Sequence, residues 1–136
     1  MKKLLEFSKY IYTLQDVLNF TKDNKYDTQE CRPFEVYHAY VGRHDQPGVY
    51  DKRACMIVED LGKEVSVYKI TSEHRDHPLR YLIQDNRGLN FKGPSYIRMD
   101  EDLYTLDKKW LTMFDGDIKY ANTLEIKKLL NEKDKS

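Results

Sequence analysis

The stretch ACMIVEDLGKEVSVYKIT, residues 54–71, decides the fold of this chain of 136 residues. Residues 54–58 are a short apolar run of the kind that forms a fully buried strand, and residues 65–70 alternate apolar and polar side chains as a half-buried strand does. The polar residues between them, which include Gly62, are typical of a turn. The stretch therefore predicts a β-hairpin.

Three further segments extend this hairpin into a sheet. Residues 34–41 are rich in aromatic and β-branched side chains and predict a strand, which a long polar loop at 42–52 separates from the hairpin. Residues 81–83 and 95–99 predict two more short strands, and turn-forming residues lie between them. We expect a five- or six-stranded sheet that curls into a barrel.

Helices are predicted at the two ends of the chain. Apolar residues recur at three- and four-residue spacings across residues 4–20, which predicts one amphipathic helix, and residues 124–130 predict a second helix. Residues 21–30 contain nothing that demands burial and are interpreted as a linker. The predicted fold class is mainly β (α+β), with an N-terminal helix and linker in 1–30 and a barrel domain in 31–136.

Composition limits the classes of partner. The 23 basic and 23 acidic residues cancel, so any affinity for nucleic acid must come from a local patch. The 11 tyrosines favour a β-rich protein with a contact surface, because each packs a ring and still presents a hydroxyl. No segment of the sequence approaches the ~20 apolar residues of a membrane span. We expect a cytoplasmic protein that does not contact a membrane.

The sequence predicts neither a metal nor a bound cofactor. The glycines form no loop of the kind that cradles phosphates. Cys31 and Cys55 lack a metal-binding spacing, and we expect two free thiols without a chemical role. The four histidines do not fall at a spacing that surrounds an ion; they are His38, His44, His74 and His77.

Three short segments follow one another in an informative order. Asp45-Gln46-Pro47-Gly48 leads to Arg53 and an apolar strand, Val67-Tyr68-Lys69-Ile70-Thr71-Ser72 ends a strand, and GLNFKGPSYIRMD occupies residues 88–100. Together they resemble the MazF/PemK family of toxin endoribonucleases over residues 34–130. The chain departs from that family in its N-terminal helix, its longer loop and the alanine that stands for proline after Arg53. The resemblance implies a small SH3-like, MazF-type β-barrel.

The resemblance also implies a catalytic site. It gives Arg53 and Thr71 as the catalytic pair, with Ser72 beside them. A guanidinium binds two phosphate oxygens at once, and hydroxyls at a strand end donate hydrogen bonds to the same group. Taken alone, an arginine after an acidic loop is most often a surface ion pair, and a loop histidine is most often merely solvated. The side chains expected to bind RNA are those of His44, Asp45, Gln46, Lys52, Lys69 and His74.

The implied function is that of the toxin in a toxin–antitoxin system. Such a protein is a metal-independent endoribonuclease that cuts single-stranded RNA through a 2′,3′-cyclic phosphate. Its expected partners are RNA, a cognate antitoxin protein and a second copy of itself in a homodimer. The alternative is a catalytically inert barrel of the same fold that binds a protein or RNA partner.

Overall fold

The computed structural model describes residues 11–84, 88–89, 91–118 and 123–135. Residues 4–10 of the predicted N-terminal helix lie outside this part of the chain. The described elements are β1 (Tyr12–Thr13), α1 (Leu14–Thr21), β2 (Glu35–Gly42), β3 (Val49–Asp60), β4 (Glu64–Thr71), β5 (Arg80–Leu82), β6 (Tyr96–Arg98), β7 (Tyr104–Asp107), the 3-10 helix Lys108–Trp110, β8 (Leu111–Asp117) and α2 (Thr123–Lys135). The mainly β, α+β class is confirmed.

The predicted hairpin is present and forms the centre of the sheet. Strands β3 and β4 pair antiparallel, with Ile57 opposite Val67 and Cys55 opposite Lys69. At the turn, Gly62 has a φ of +98° and its N–H donates to Asp60 Oδ1 at 2.8 Å. Glycine adopts this left-handed conformation without steric cost, which is why it stands there.

The sheet has the strand order β5-β6-β4-β3-β2-β8, with β1 on β3 and β7 on β4. All its pairs are antiparallel. The 3-10 helix of three residues is the whole connection from β7, next to β4, to β8, next to β2. The sheet must therefore bend strongly, although it is open: in the described residues no ladder joins β7 to β8.

Two hydrophobic clusters lie on opposite faces of this sheet. Successive residues of a strand point to opposite faces, so Tyr37 and Cys55 face one cluster while Val36 and Met56 face the other. The Cys55 cluster comprises Tyr26, Cys31, Tyr37, Ala39, Val41, Cys55, Ile57, Val65, Val67, Leu106 and Leu111. The Met56 cluster comprises Val36, Ala54, Met56, Tyr68, Ile70, Tyr81, Ile83, Leu89, Ile97, Met99, Ile118 and Ile126.

The N-terminal prediction is wrong at Tyr12–Thr13, which is a strand. These residues pair with Tyr50 and Val49 of β3, and the helix begins at Leu14. Thr13 sets this boundary because its hydroxyl accepts from the N–H of Asp16 at 3.1 Å while its own N–H donates to the Asp16 carboxylate at 2.9 Å. Such a capping box satisfies the free N–H groups of the first turn and stops a helix from extending backward.

The segment interpreted as a linker is packed onto the sheet. Tyr26 and Cys31 are buried in the Cys55 cluster, and the Asn24 amide donates to the carbonyl of Leu111 at 2.7 Å. The expectation that nothing in 21–30 demands burial is therefore wrong, because the buried ring of Tyr26 and the hydrogen-bonded amide of Asn24 hold this segment against the sheet. Both cysteines are free thiols, as predicted, and both are buried, which was expected for Cys55 and not for Cys31.

The predicted strand count was too low because β7 and β8 were missed. Apolar residues at 103–114 recur at irregular spacings of one to four, which indicates no single strand. In the structure the 3-10 helix interrupts the pattern, and β8 carries two shifts of register against β2. These irregularities remove the two-residue period by which a strand is recognised.

Two buried cations join distant parts of the fold. Lys108 Nζ donates to Asp60 Oδ2 and to the Gln29 carbonyl, each at 2.8 Å, and so connects the hairpin turn with the N-terminal segment. Arg80 Nε donates to Asp100 Oδ1 at 2.9 Å, and its side chain is 1% exposed. Burial alone would raise the pKa of each carboxyl, but these hydrogen bonds outweigh it and hold the pKa of Asp60 and Asp100 below the ordinary value of 3.8.

We predict that acid destabilises the fold through these two carboxylates. A group whose folded pKa is depressed contributes stability that is complete above its unfolded pKa and is lost as the pH falls through the folded pKa. The free energy of unfolding should therefore decline as the pH drops from about 5 toward 2. Urea unfolding across this range measures the slope. Asp60→Asn should be less stable at pH 7 and show a shallower slope; an unchanged slope would contradict the assignment.

A second prediction concerns Gly116, which pairs with Val36. Its φ is +135°, and a Cβ atom there would lie 2.3 Å from the carbonyl oxygen of Gly88. Gly116→Ala should cost about 3 kcal/mol or more in unfolding free energy, since both the conformation and the contact forbid a side chain. Gly62→Ala, where nothing lies within 4 Å, is the matched control and should cost only about 1 kcal/mol. Equal losses would mean that the close approach to Gly88 is unimportant.

Candidate functional site

A cleft of about 890 Å³ opens beside the ends of β3 and β4. Two of its lining residues, Ala54 and Ile70, also belong to the Met56 cluster, so the cleft lies at the margin of that core. The complete lining is Tyr12, His38, Asp51, Lys52, Arg53, Ala54, Ile70, Thr71, Ser72, Phe91, Lys92, Gly93, Pro94, Ser95, Tyr96 and Met113.

The three predicted catalytic residues and Lys52 all border this cleft. The pairing of Cys55 with Lys69 explains why, because extending that register by two residues sets Arg53 opposite Thr71. Arg53 pairs with Ala39 across β2, whereas Lys52 pairs with Tyr40. The two cations therefore border the cleft from opposite faces of β3.

Arg53 and Thr71 each have a local partner. Arg53 Nε lies 3.8 Å from Asp51 Oδ2, and the same carboxylate accepts from Arg43 Nε at 2.9 Å. The Thr71 hydroxyl accepts from the N–H of Glu73 at 3.1 Å, which leaves its proton for donation. The Arg53 side chain is 34% exposed, so part of it is accessible to solvent.

The predicted RNA-binding residues divide between several places. His44 and Lys69 border a second cavity, of about 490 Å³, together with the segment 100–104. Lys69 Nζ lies 5.1 Å from the centre of the Tyr104 ring. Burial, followed by the nearby Arg98, lowers the pKa of Lys69. Lys69 is therefore not among the lining residues of the main cleft, although Arg53, which lines that cleft, also lowers the pKa of Lys69.

The other predicted binding residues lie in loops. Asp45 is exposed between β2 and β3, and the side-chain Oε1 of Gln46 accepts from Arg43 Nη1 at 3.1 Å. The ring of His74 packs edge-on against Tyr96 with 5.5 Å between the ring centres. Because Tyr96 lines the cleft, His74 is adjacent to the site but is not among its lining residues.

A histidine–carboxylate pair in the cleft was not predicted from the sequence. His38 borders the cleft, and its Nδ1 contacts Asp115 Oδ2 of β8. The Asp115 side chain is completely buried, and its Oδ1 has no hydrogen-bond partner among the described residues. No sequence signal could have joined these two residues, since 77 positions separate them and a shift of register brings them together.

An aromatic group at one end of the cleft was also missed. The ring of Tyr12 lies edge-on to Phe20 and to Tyr40, with ring centres 5.9 and 5.2 Å apart. Phe20 is 61% exposed although it is a large apolar side chain. Such a surface resembles the aromatic platforms on which single-stranded bases stack.

In the described part of the chain, no group of three or more histidine, cysteine, aspartate or glutamate side chains is arranged to hold a metal ion. Neither helix within the described ranges has the length and apolar composition needed to cross a membrane. Comparison with known proteins finds no family model that matches the chain and no match among curated proteins.

Proposed function

We propose that the chain is a metal-independent endoribonuclease that cuts single-stranded RNA in the main cleft. The observation that carries this proposal is the position of Arg53, Thr71 and Ser72, which come from two strands and border one cleft. Arg53 binds two oxygens of the scissile phosphate and neutralises the charge that builds up on it. The two hydroxyls donate hydrogen bonds to the same phosphate.

The shape and lining of the cleft support a single-stranded substrate. Its volume of about 890 Å³ lies within the range of sites that bind small ligands, the size class of one or two nucleotides. Tyr12 and Tyr96 offer rings on which bases stack, and Lys52 and Lys92 offer charge for the flanking phosphates. The attacking group is the 2′-hydroxyl of the RNA itself, so the products are a 2′,3′-cyclic phosphate and a free 5′-hydroxyl.

The finer fold that fits this function is an SH3-like barrel of the MazF/PemK type. Its support is the short 3-10 connection between β7 and β8, which joins a strand paired with β4 to a strand paired with β2 around the Cys55 cluster. The biological role that goes with it is a cytoplasmic toxin held inactive by an antitoxin. An antitoxin segment with acidic residues would occupy the cleft against Lys52 and Arg53 and exclude RNA.

The second candidate is an inert barrel that binds RNA or a protein without cutting RNA. The contact of Arg53 with Asp51 favours it, because a carboxylate that holds the guanidinium competes with phosphate. The two candidates differ in one measurement: an inert barrel binds RNA and yields no cyclic phosphate.

Replacement of Arg53 tests the proposed chemistry. Arg53→Ala should lower single-turnover cleavage of RNA by about 10²-fold or more, because the phosphate loses its forked donor in the transition state. The cleavage rate of Arg53→Lys should lie between those of the wild type and Arg53→Ala, since lysine keeps the positive charge but cannot donate two parallel hydrogen bonds. Thr71→Ala should lower the cleavage rate less than Arg53→Ala does. The wild type should cut in excess EDTA and spare a substrate with deoxyribose at the cleavage position.

The matched control is Arg32→Ala, which removes an exposed arginine that does not line the cleft. It should cut at the wild-type rate. An Arg53→Ala variant that is folded and fully active would contradict the chemistry, as would cleavage of the deoxy substrate. RNA binding without cleavage by the wild type would favour the inert barrel.

We also propose a homodimer that uses β8. This strand lies at one end of the strand order and pairs with β2, and its Met113 and Phe114 are 39% and 42% exposed. An edge strand with exposed apolar side chains is a natural site of pairing between copies. Light scattering should give twice the chain mass of 16.3 kDa. Phe114→Lys should shift it toward the monomer, and Leu61→Lys, in the hairpin turn, should not; a monomer at all micromolar concentrations would disprove the dimer.

A further inference from the structure

The pair His38–Asp115 has the construction of a catalytic dyad. Asp115 is a completely buried carboxylate whose one hydrogen-bond partner among the described residues is the histidine ring. A buried charge with so few partners is costly to maintain, and residues of this kind concentrate at functional sites. The His38 side chain is 26% exposed and lines the main cleft. The pair thus connects the protein interior with the place where the substrate would bind.

The backbone of β8 is shaped around this pair. The register places Val36 opposite Gly116 and Tyr37 opposite Phe114, so Asp115 is an extra residue without a partner on β2. A second shift, between His38 and Ala39, lies on the other side of the histidine. Bulges of this kind redirect a side chain that regular pairing would send elsewhere. The positive φ of Gly116 is part of the first bulge.

The contact with Asp115 determines which nitrogen is available. Nδ1 faces the carboxylate, so it carries the proton in the neutral ring, and the lone pair is left on Nε2. His38 lines the cleft, and Nε2 is the ring nitrogen left for a substrate. Imidazole in this tautomer, fixed by a buried carboxylate, is the usual arrangement of a general base in hydrolases and nucleases.

We propose that His38 is the general base of the cleavage reaction and that Asp115 is its positioning residue. This assignment rests on the proposed function. His38 Nε2 takes the proton of the RNA 2′-hydroxyl while the 2′-oxygen forms its bond to phosphorus. The bond from phosphorus to the 5′-oxygen breaks, and that oxygen takes a proton from water in the cleft. The imidazolium, stabilised by the Asp115 carboxylate, returns its proton to solvent.

Several charged and titratable groups face His38 and contribute to the electrostatic field in which it acts. Asp115 contacts the ring from β8, and the other walls of the cleft come from β1, β3, the end of β4 and the segment 91–96. The groups that line the cleft with it are Tyr12, Asp51, Lys52, Arg53, Lys92 and Tyr96. The Arg53→Ala variant and the His38 variants must therefore be compared over the whole pH range rather than at one value.

The test measures single-turnover cleavage of RNA from pH 4.5 to 9. For the wild type the logarithm of the rate should rise with pH and level off, because protonated imidazole cannot accept a proton. His38→Gln should lower the plateau by about 10²- to 10⁴-fold and remove the rising limb, with RNA affinity within a few-fold of wild type. Asp115→Asn should lower the rate and displace the limb, since it permits the wrong tautomer. Added imidazole should restore part of the activity of His38→Ala.

The matched control is His77→Gln, an exposed histidine that does not line the cleft. Its rate and pH profile should be those of the wild type. If His38→Gln fails to fold because Asp115 loses its partner, the neutral double variant His38→Gln, Asp115→Asn replaces it, with circular dichroism as the check on folding. A purely structural pair would change stability without altering the pH profile or responding to imidazole.

Two results would overturn the assignment, and they can be told apart. Cleavage by a folded His38→Gln variant within about threefold of wild type, with the rising limb intact, removes His38 from the reaction and leaves the proposed function standing. Absence of RNA cleavage by the wild type removes both.

Discussion

The centre of β3 is buried on both faces, and the rest of the molecule follows from this constraint. Cys55, Met56 and Ile57 are consecutive residues with no exposed surface, so water must be excluded from both sides of one strand. The Cys55 side is closed by the bend of the sheet, with the 3-10 helix and the N-terminal segment laid over it. The Met56 side is closed by β5, β6 and α2. Each cover is a separate piece of chain, and the two meet at the sheet.

The cleft lies where the elements that cover the Met56 side of the sheet end. Ala54 and Ile70 belong to the Met56 cluster and also line the cleft, which begins where the cover formed by β5, β6 and α2 stops. The segment 91–96, between β5 and β6, forms the opposite wall. Residues that precede the buried part of β3 and residues that follow the buried part of β4 therefore lie together at this opening. A site at such an edge combines a rigid floor with loop residues that can vary.

The hairpin and β2 could be predicted because apolar, aromatic and β-branched side chains are concentrated in short runs, which in residues 65–70 alternate with polar side chains. Predictions failed where local geometry departed from the side-chain pattern. The capping box at Thr13 makes the helix begin later than predicted, and the bulges of β8 obscure the pattern of a strand. Lys52 and Arg53 were proposed from sequence, and their place in the cleft agrees with antiparallel register. His38 and Asp115 were out of reach, because only the folded chain brings β2 and β8 together.

The two buried thiols report on two different unfolding events of the molecule. Cys55 lies in the central strand, and burial raises the pKa of its thiol to about 12, whereas Cys31 lies in the N-terminal segment at the margin of the same cluster. A thiol reagent must wait for the chain to expose either group. Modification of Cys31 would follow detachment of the N-terminal segment, and modification of Cys55 would require separation of the sheet. The ratio of the modification rates of Cys31 and Cys55 thus distinguishes partial from complete unfolding.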